Sequence, residues 1–332
     1  MTMPDEYTAQ HHDEEEAEEA EDALRGRPFE LAATRSSGLL PDLMRDKLGL
    51  ASLVFLVVLV GSAIFVPILR HVDPNAGNLS NALASPVWHG GTWTHPLGTD
   101  WQGYDILARL LAGARTSLTI GVLVVVFAGA FGVVVGLVSG YKGGRTDRWL
   151  MGWVDVQVSF PGLLLAMLLI ALVGGSITSI TVILAVNGWM VFARMTRGVV
   201  LSIRERPFVE AAEIIGCKPK RVVFTHILPN LFTPLATLGV LEFARIILAE
   251  AALSFLGLGI QYPGISWGLD ISRAGDHELF GNQWLIIYPG LLLSLTVLAV
   301  NLLSSWLRVA LDPREREKKH AATAIGTGKG TA

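Results

Sequence analysis

Four charge-free apolar runs constrain this chain more than any other feature of it. A helix needs about 20 predominantly apolar residues to cross ~30 Å of hydrocarbon. Residues 48–69 supply 22 of them between Lys47 and Arg70, and residues 116–141 supply 26 between Arg115 and Lys142. Residues 156–193 form a run of 38, too long for one span, and Gly174, Gly175 and Ser176 divide it into two helices joined by a short turn. A fifth span is expected over about residues 232–257 despite three charges. A sixth is expected around residues 284–307, inside the charge-free run 279–307. The expected fold class is an all-α integral membrane protein with six transmembrane helices. The first run begins far from the N-terminus and is too long for a signal-peptide core, so it reads as an uncleaved first span.

Composition matters through its distribution. Only 17% of the 332 residues are charged, against about a quarter in soluble domains. Ten of the 29 acidic residues fall in residues 1–24, which contain no Lys or Arg, leaving 19 acids against 26 bases in the rest. A short acidic tail thus precedes a basic, apolar body, and the overall charge of −3 gives no argument for nucleic-acid binding. Lys and Arg gather in alternate loops: Arg45 and Lys47; Lys142, Arg145 and Arg148; Arg204 to Arg221; and Arg314 to Lys319. The opposite side holds only Arg70, Arg109, Arg115 and Arg273. By the positive-inside rule both termini are cytoplasmic. The organisation read from this is a cytoplasmic tail and lead-in over residues 1–44, a six-helix body over 45–314 with an external loop 70–115, and a flexible cytoplasmic tail over 315–332.

The acidic segment 13–22 cannot bury apolar surface and is expected to be disordered, and His11 and His12 beside it read as part of a solvated tail. In the external loop, Ile106, Leu107, Leu110 and Leu111 fall at helical spacing, and Asp105 and Arg109 stand at i,i+4. This predicts a short interfacial helix leading into the second span. No nucleotide or metal site is found. The tail stretch 326–331 fails the phosphate-loop spacing, and His277-Glu278 lacks a second His. Cys217 is the single cysteine, so no internal disulfide exists and none of its neighbours makes it a ligand or a nucleophile.

The cytoplasmic segment 202–230 is more than a linker. Pro207 suits the first position of a helix, after which Phe208, Ala212 and Ile215 share one face with Glu210 and Glu213 off it. Gly216 can adopt the left-handed conformation that stops a helix, and Pro219 then starts a second helix expected to end at Pro229. On pattern alone the two helices are either a compact knob outside the membrane or an amphipathic hairpin on its surface. In the fifth span, Glu242, Arg245 and Glu250 fall within ~140° of arc. They are either a self-satisfied i,i+3 pair at Glu242–Arg245, or a polar face turned to a water-lined path or a partner chain. Glu250 favours the second reading, because it is expected to have no partner on its own helix within four residues. Gly132, Gly136 and Gly140 form a four-residue stripe of the kind that lets helices approach closely.

These residues carry a resemblance. Glu210-Ala211-Ala212, Gly216 and Leu228-Pro229 resemble the Glu-Ala-Ala signature of ABC-importer permeases. The segment 95–100 with 113–118, Asp155 with Ser159-Phe160-Pro161, Arg194 and Arg197, residues 226–230, the run 249–259 with Ser266-Trp267-Gly268, and residues 311–314 are similar to the dipeptide/oligopeptide/nickel branch, in its C-type subunit. The sequence departs at Tyr104, where that branch often has Arg. The resemblance spans roughly residues 40–314. It implies a type I ABC-importer permease core with 202–230 as the loop that couples to an ATPase. It implies as partners a second homologous permease, two cytoplasmic ATPase subunits that hold ATP and Mg, and an extracytoplasmic solute-binding protein. It also implies a bacterial inner-membrane location, a chain with no catalytic residue or cofactor of its own, and peptides as substrate, with nickel or another solute as alternative. A secondary transporter would be expected to show inverted repeats, which are not seen, and a membrane enzyme would need a catalytic constellation that no spacing supplies.

Overall fold

The structure, a computed structural model, describes residues 42–44, 46–70, 73–275 and 282–311. The acidic stretch 13–22 with His11 and His12, His277-Glu278 and the tail from Asp312 onward lie outside the described residues. Contacts divide the chain after Met44, and the helical body is the unit from Arg45 onward. Among the described residues there is no strand, only an isolated bridge between Thr99 and Asp105.

Long apolar helices dominate: α1 (Lys47–Arg70), α2 (Ile106–Lys142), α5 (Ile177–Arg204), α7 (Pro219–Phe255) and α9 (Trp284–Leu311). Between them lie α3 (Gly144–Val158), α4 (Gly162–Val173), α6 (Pro207–Ile214) and α8 (Trp267–Gly275). Large apolar side chains such as Val57, Phe65, Phe127, Phe131, Leu164 and Leu168 face outward, which suits a hydrocarbon solvent and not water. Among the described residues five helices are long and apolar enough to cross a membrane, and the bent pair α3–α4 makes a sixth span if its two parts are counted together.

That pair corrects one expectation. The charge-free run predicts a span beginning near Val156, but α3 begins twelve residues earlier, and the axes of α3 and α4 meet at 80°. Pro161 supplies the reason: it has no N–H, and it disfavours helical geometry at Phe160. The α3 helix therefore stops at Ser159, whose N–H donates to the Asp155 carbonyl. With 12 residues, α4 is ~18 Å long and cannot cross ~30 Å alone. The break at 174–176 lies where the sequence places it: Gly174 has φ +92°, and Ser176 Oγ caps α5 by accepting from the Ser179 N–H at 3.1 Å.

A second correction concerns the start of α2. No separate interfacial helix precedes the span. A single 37-residue rod, ~55 Å long, begins at Asp105, whose Oδ1 accepts the Ala108 N–H at 2.9 Å. Arg109 does not pair with Asp105. Its Nε and Nη2 both donate to Asp270 Oδ1 in α8, at 3.1 and 2.5 Å. Asp105 is held instead by His95, at 3.0 Å. The loop before α2 folds on itself through Thr99, whose hydroxyl bonds the Asn81 carbonyl and accepts from the Ala84 N–H, and through Asp100, which accepts from the Gln102 and Tyr104 N–H groups.

The most extensive helix pairing is α2 against α5. Gly132, Gly136 and Gly140 lie along that seam. A Cβ at Gly136 would stand 2.5 Å from the Ala193 carbonyl oxygen and 2.6 Å from Thr196 Cβ, and one at Gly140 2.9 Å from Val200 Cβ. The two backbones can be this close only because those positions carry no side chain.

Candidate functional site

The knob between α5 and α7 is built on an apolar cluster. Val209 and Ala212 of α6 are buried against Val200 and Ile203 of α5 and Val222, Ile227 and Leu231 of α7. The inward face is thus Val209 and Ala212, and the expected face of Phe208, Ala212 and Ile215 is corrected. Phe208 stays at the rim beside the His226 ring, and Ile214 and Ile215 are 79% and 82% exposed. A buried i,i+3 pair anchors so short a helix, so its other apolar residues remain outside. Glu210 and Ala211 are also exposed, and the Glu213 side chain lies outside the described residues.

Gly216 closes α6 at φ +87°. The Cys217 N–H donates back to the Ala212 carbonyl at 3.0 Å, five residues earlier, which is the six-to-one bond of a Schellman stop. Cys217 is half-buried in the same cluster. Pro219 then opens α7, which does not end at Pro229 as expected. Residues Val222–Ile227 widen to π-helical spacing, and the Leu228 N–H reaches the Val223 carbonyl. That register moves the carbonyl a prolyl ring would strike, so the rod passes through Leu228 and Pro229 unbroken. Leu228 is half-buried against the knob and Pro229 is exposed.

Beside the knob, α3 is tied to α5 by polar rungs in antiparallel order. Asp147 meets Arg197 through both oxygens, at 2.5 and 2.7 Å, and also accepts from Ser139 of α2. Asp155 meets Arg194 at 2.6 Å, and Gln157 accepts from Trp189 Nε1 at 3.1 Å. Sequence periodicity does not reveal these pairs, which are 32 to 50 residues apart. The only hint is charge next to long apolar runs.

The three charges of α7 separate into two kinds. Arg245 Nη1 donates to Glu242 Oε1 at 3.2 Å; the Glu242 side chain is buried, while that of Arg245 is 69% exposed. Glu250 is fully enclosed in this chain. Ser117 of α2 donates to its Oε2 and Ser254 to its Oε1, each at 2.8 Å, and Ser254 Oγ in turn accepts from the Ile260 N–H. Glu250 therefore has a partner on its own helix, at i+4, and its side chain is enclosed within this chain. Hydroxyl donors, which a search for opposite charges overlooks, satisfy it. Among the described residues no cluster of three His, Cys, Asp or Glu is arranged to hold a metal.

Comparison with known proteins agrees with this architecture. The profile of the family described as binding-protein-dependent transport system inner membrane component matches residues 132–317, and that of the N-terminal TM domain of oligopeptide transport permease C matches residues 41–86. The chain is 36% identical over 270 residues to the di/tripeptide transport system permease protein DppC of Pseudomonas aeruginosa, covering 81% of this chain and 89% of that one. It is 37% identical over 290 residues to the oligopeptide transport system permease protein OppC of Mycobacterium bovis, covering 86% and 96%. Among solved structures, the inward-facing MetNI methionine ABC transporter matches with a TM-score of 0.52 at 18% identity, over 61% of this chain and 96% of that one, a likeness of fold. An all-helical body with multiple membrane spans, two matching profiles and relatives aligned over most of their length lead to one statement: the chain belongs to the binding-protein-dependent transport system inner membrane component family, among its dipeptide and oligopeptide C-type permeases.

Proposed function

We propose that this chain is one of two transmembrane subunits of an ATP-driven, binding-protein-dependent importer that moves di- or oligopeptides into a bacterial cytoplasm by alternating access. The observation that carries the reading is the knob. It leaves Ile214 and Ile215 almost bare beside exposed Glu210, on a polar loop with Lys218, Lys220 and Arg221 around it. Exposed apolar side chains on a loop outside the spans suit a protein cleft. Glu210, Ala211, Ala212 and Gly216, with Leu228 and Pro229 at its base, then form the ATPase-coupling element. ATP and Mg belong to the two ATPase partners, and this subunit performs no catalysis. The Lys and Arg bias supports a reading with the knob and both termini in the cytoplasm and loop 73–105 outside, where a solute-binding protein delivers substrate. Glu242 and Arg245 are assigned to the translocation path or the interface with the second permease.

The test is uptake of a labelled dipeptide into proteoliposomes holding the full complex. Uptake is expected only with ATP inside and the binding protein outside. Uptake driven by a proton gradient without ATP would overturn the reading in favour of a secondary transporter. ATP-driven uptake of a different solute would overturn its peptide part alone.

A further inference from the structure

Loop 73–105, α2, α8 and α9 meet at a small cavity, walled by both charged and apolar side chains, that the coupling mechanism does not use. Asp100, Arg109, Asp270 and Arg273 line about 30 Å³ of space, with Trp101 and Leu285 among the apolar walls. The pairing inside it is lopsided. A guanidinium fork ordinarily meets both oxygens of a carboxylate with two nitrogens. Here Nε and Nη2 of Arg109 converge on Asp270 Oδ1 alone. Arg109 Nη1 and Asp270 Oδ2 are both buried, and neither has a partner. Arg109 is 95% buried by exposed area, so Nη1 cannot turn to bulk water.

The surroundings hold the fork in place. The Arg109 guanidinium carbon lies 5.2 Å from the Tyr104 ring centroid, and that of Arg273 lies 5.2 Å from the Tyr262 ring. Trp267 Nε1 donates to the Leu110 carbonyl at 2.9 Å, which fixes α8 against the same turn of α2. Burial pushes the Asp270 carboxyl above its ordinary range, with Arg109 pulling it back, and burial likewise raises Asp100.

We propose that this cavity is a built water site, and that Arg109, Asp270 and its water form the latch holding loop 73–105 and α8 at a fixed angle to α2. A water needs about 10–15 Å³ of such space and two to four polar partners. The cavity holds one or two waters, and Nη1 offers a donor, Oδ2 an acceptor and Asp100 a further carboxylate. A peptide terminus does not fit the volume. The bridge closes a contact between residues 161 apart in sequence and joins α2 to α8, and the Tyr104 ring against the same Arg109 guanidinium ties the loop to them. On the importer reading, on which this consequence rests, the latch presents the outward surface to the binding protein in one conformation.

Two measurements test it on the assembled complex. In a map that resolves waters, density is expected within hydrogen-bond reach of both Arg109 Nη1 and Asp270 Oδ2; a dry cavity overturns the water site. In Arg109→Gln and the isosteric Asp270→Asn, amide exchange across residues 79–103 should quicken about tenfold. The half-saturating binding-protein concentration for ATPase stimulation should rise by about the same factor, with the maximal rate within about twofold of wild type. Arg109→Lys, which keeps the charge without the fork, should recover only part of the loss. Unchanged exchange and half-saturation in both variants overturn the latch. If the wild-type complex shows no stimulation at all, the importer reading fails, while the density and exchange measurements still decide the site.

Discussion

Gly216 gives the sharpest test of the knob, because its structure separates backbone strain from steric clash. Its φ is +87°, and a Cβ built there meets nothing within 4 Å. Any loss on substitution must therefore come from the left-handed backbone, which costs an L-residue roughly 1–2 kcal/mol. That shifts the balance between the native stop and a rearranged knob by about 5- to 30-fold. Asn tolerates φ > 0 best among the non-glycines, and a β-branched residue tolerates it worst. Uptake per complex, and ATPase-subunit affinity in pull-down from membranes, should fall in the order Gly, Asn, Ala, Val. Membrane insertion should be unaffected, since the spans do not include this turn. Equal activity of Gly216→Asn and Gly216→Val would refute the reasoning, because the two differ in the property the argument uses.

Other expectations rest on the same geometry. Glu210→Lys reverses an exposed charge without touching the buried Val209–Ala212 face, so uptake should drop while the subunit still assembles with its permease partner; wild-type uptake would remove Glu210 from the docking surface. Gly136→Leu must push α5 away from α2, an overpacking cost of about 1–3 kcal/mol, whereas Gly198→Leu on α5 faces open space; denaturation in detergent should separate the two, and identical curves would contradict the seam. Glu250→Gln keeps the shape and bonding atoms inside the serine cage and should transport nearly normally. Glu250→Ala strands the Ser117 and Ser254 hydroxyls and should destabilise by about 1–3 kcal/mol, measured in the same way; a Gln variant that is stable but inactive would restore a transport role to that charge.

Solvent governs which parts of the fold are legible in the sequence. Runs such as 48–69 and 284–307 must be helical because hydrocarbon cannot satisfy bare peptide groups, and α1 and α9 match them closely. Gly174 and Gly216 mark turns because only glycine takes those φ values at low cost. The rest depends on partners distant in sequence. Arg109 looks like half of an i,i+4 pair with Asp105, but Asp270 lies 161 residues on and forms a two-nitrogen contact that Asp105, occupied with capping, does not. The α3 helix escapes a hydropathy reading because charges at Asp147 and Asp155 interrupt its apolar pattern, and these charges are what fasten it to α5. The face of α6 is misjudged from sequence because its eight residues give too few turns to define a stripe, and neighbouring α5 and α7 decide it.

Lipid tails are as apolar as leucine, so burial of leucines does not set how membrane helices meet; small residues and polar pairs do. Glu250, which joins α2 to α7, and Arg109, which joins α2 to α8, both obey this. Arg245 is different. It lies ten residues, ~15 Å, from the Phe255 end of α7, with most of its side chain outside this chain's own packing. Glu242 beneath it neutralises the charge but leaves the guanidinium's remaining donors facing out. In lipid those donors would have no acceptor, and a central Arg costs about 2.5–3.5 kcal/mol even on the insertion scale. A subunit that assembles with others avoids that cost by placing protein or water on that face. This supports assigning Glu242 and Arg245 to the path or the permease interface, and the same accounting leaves Glu250 inside.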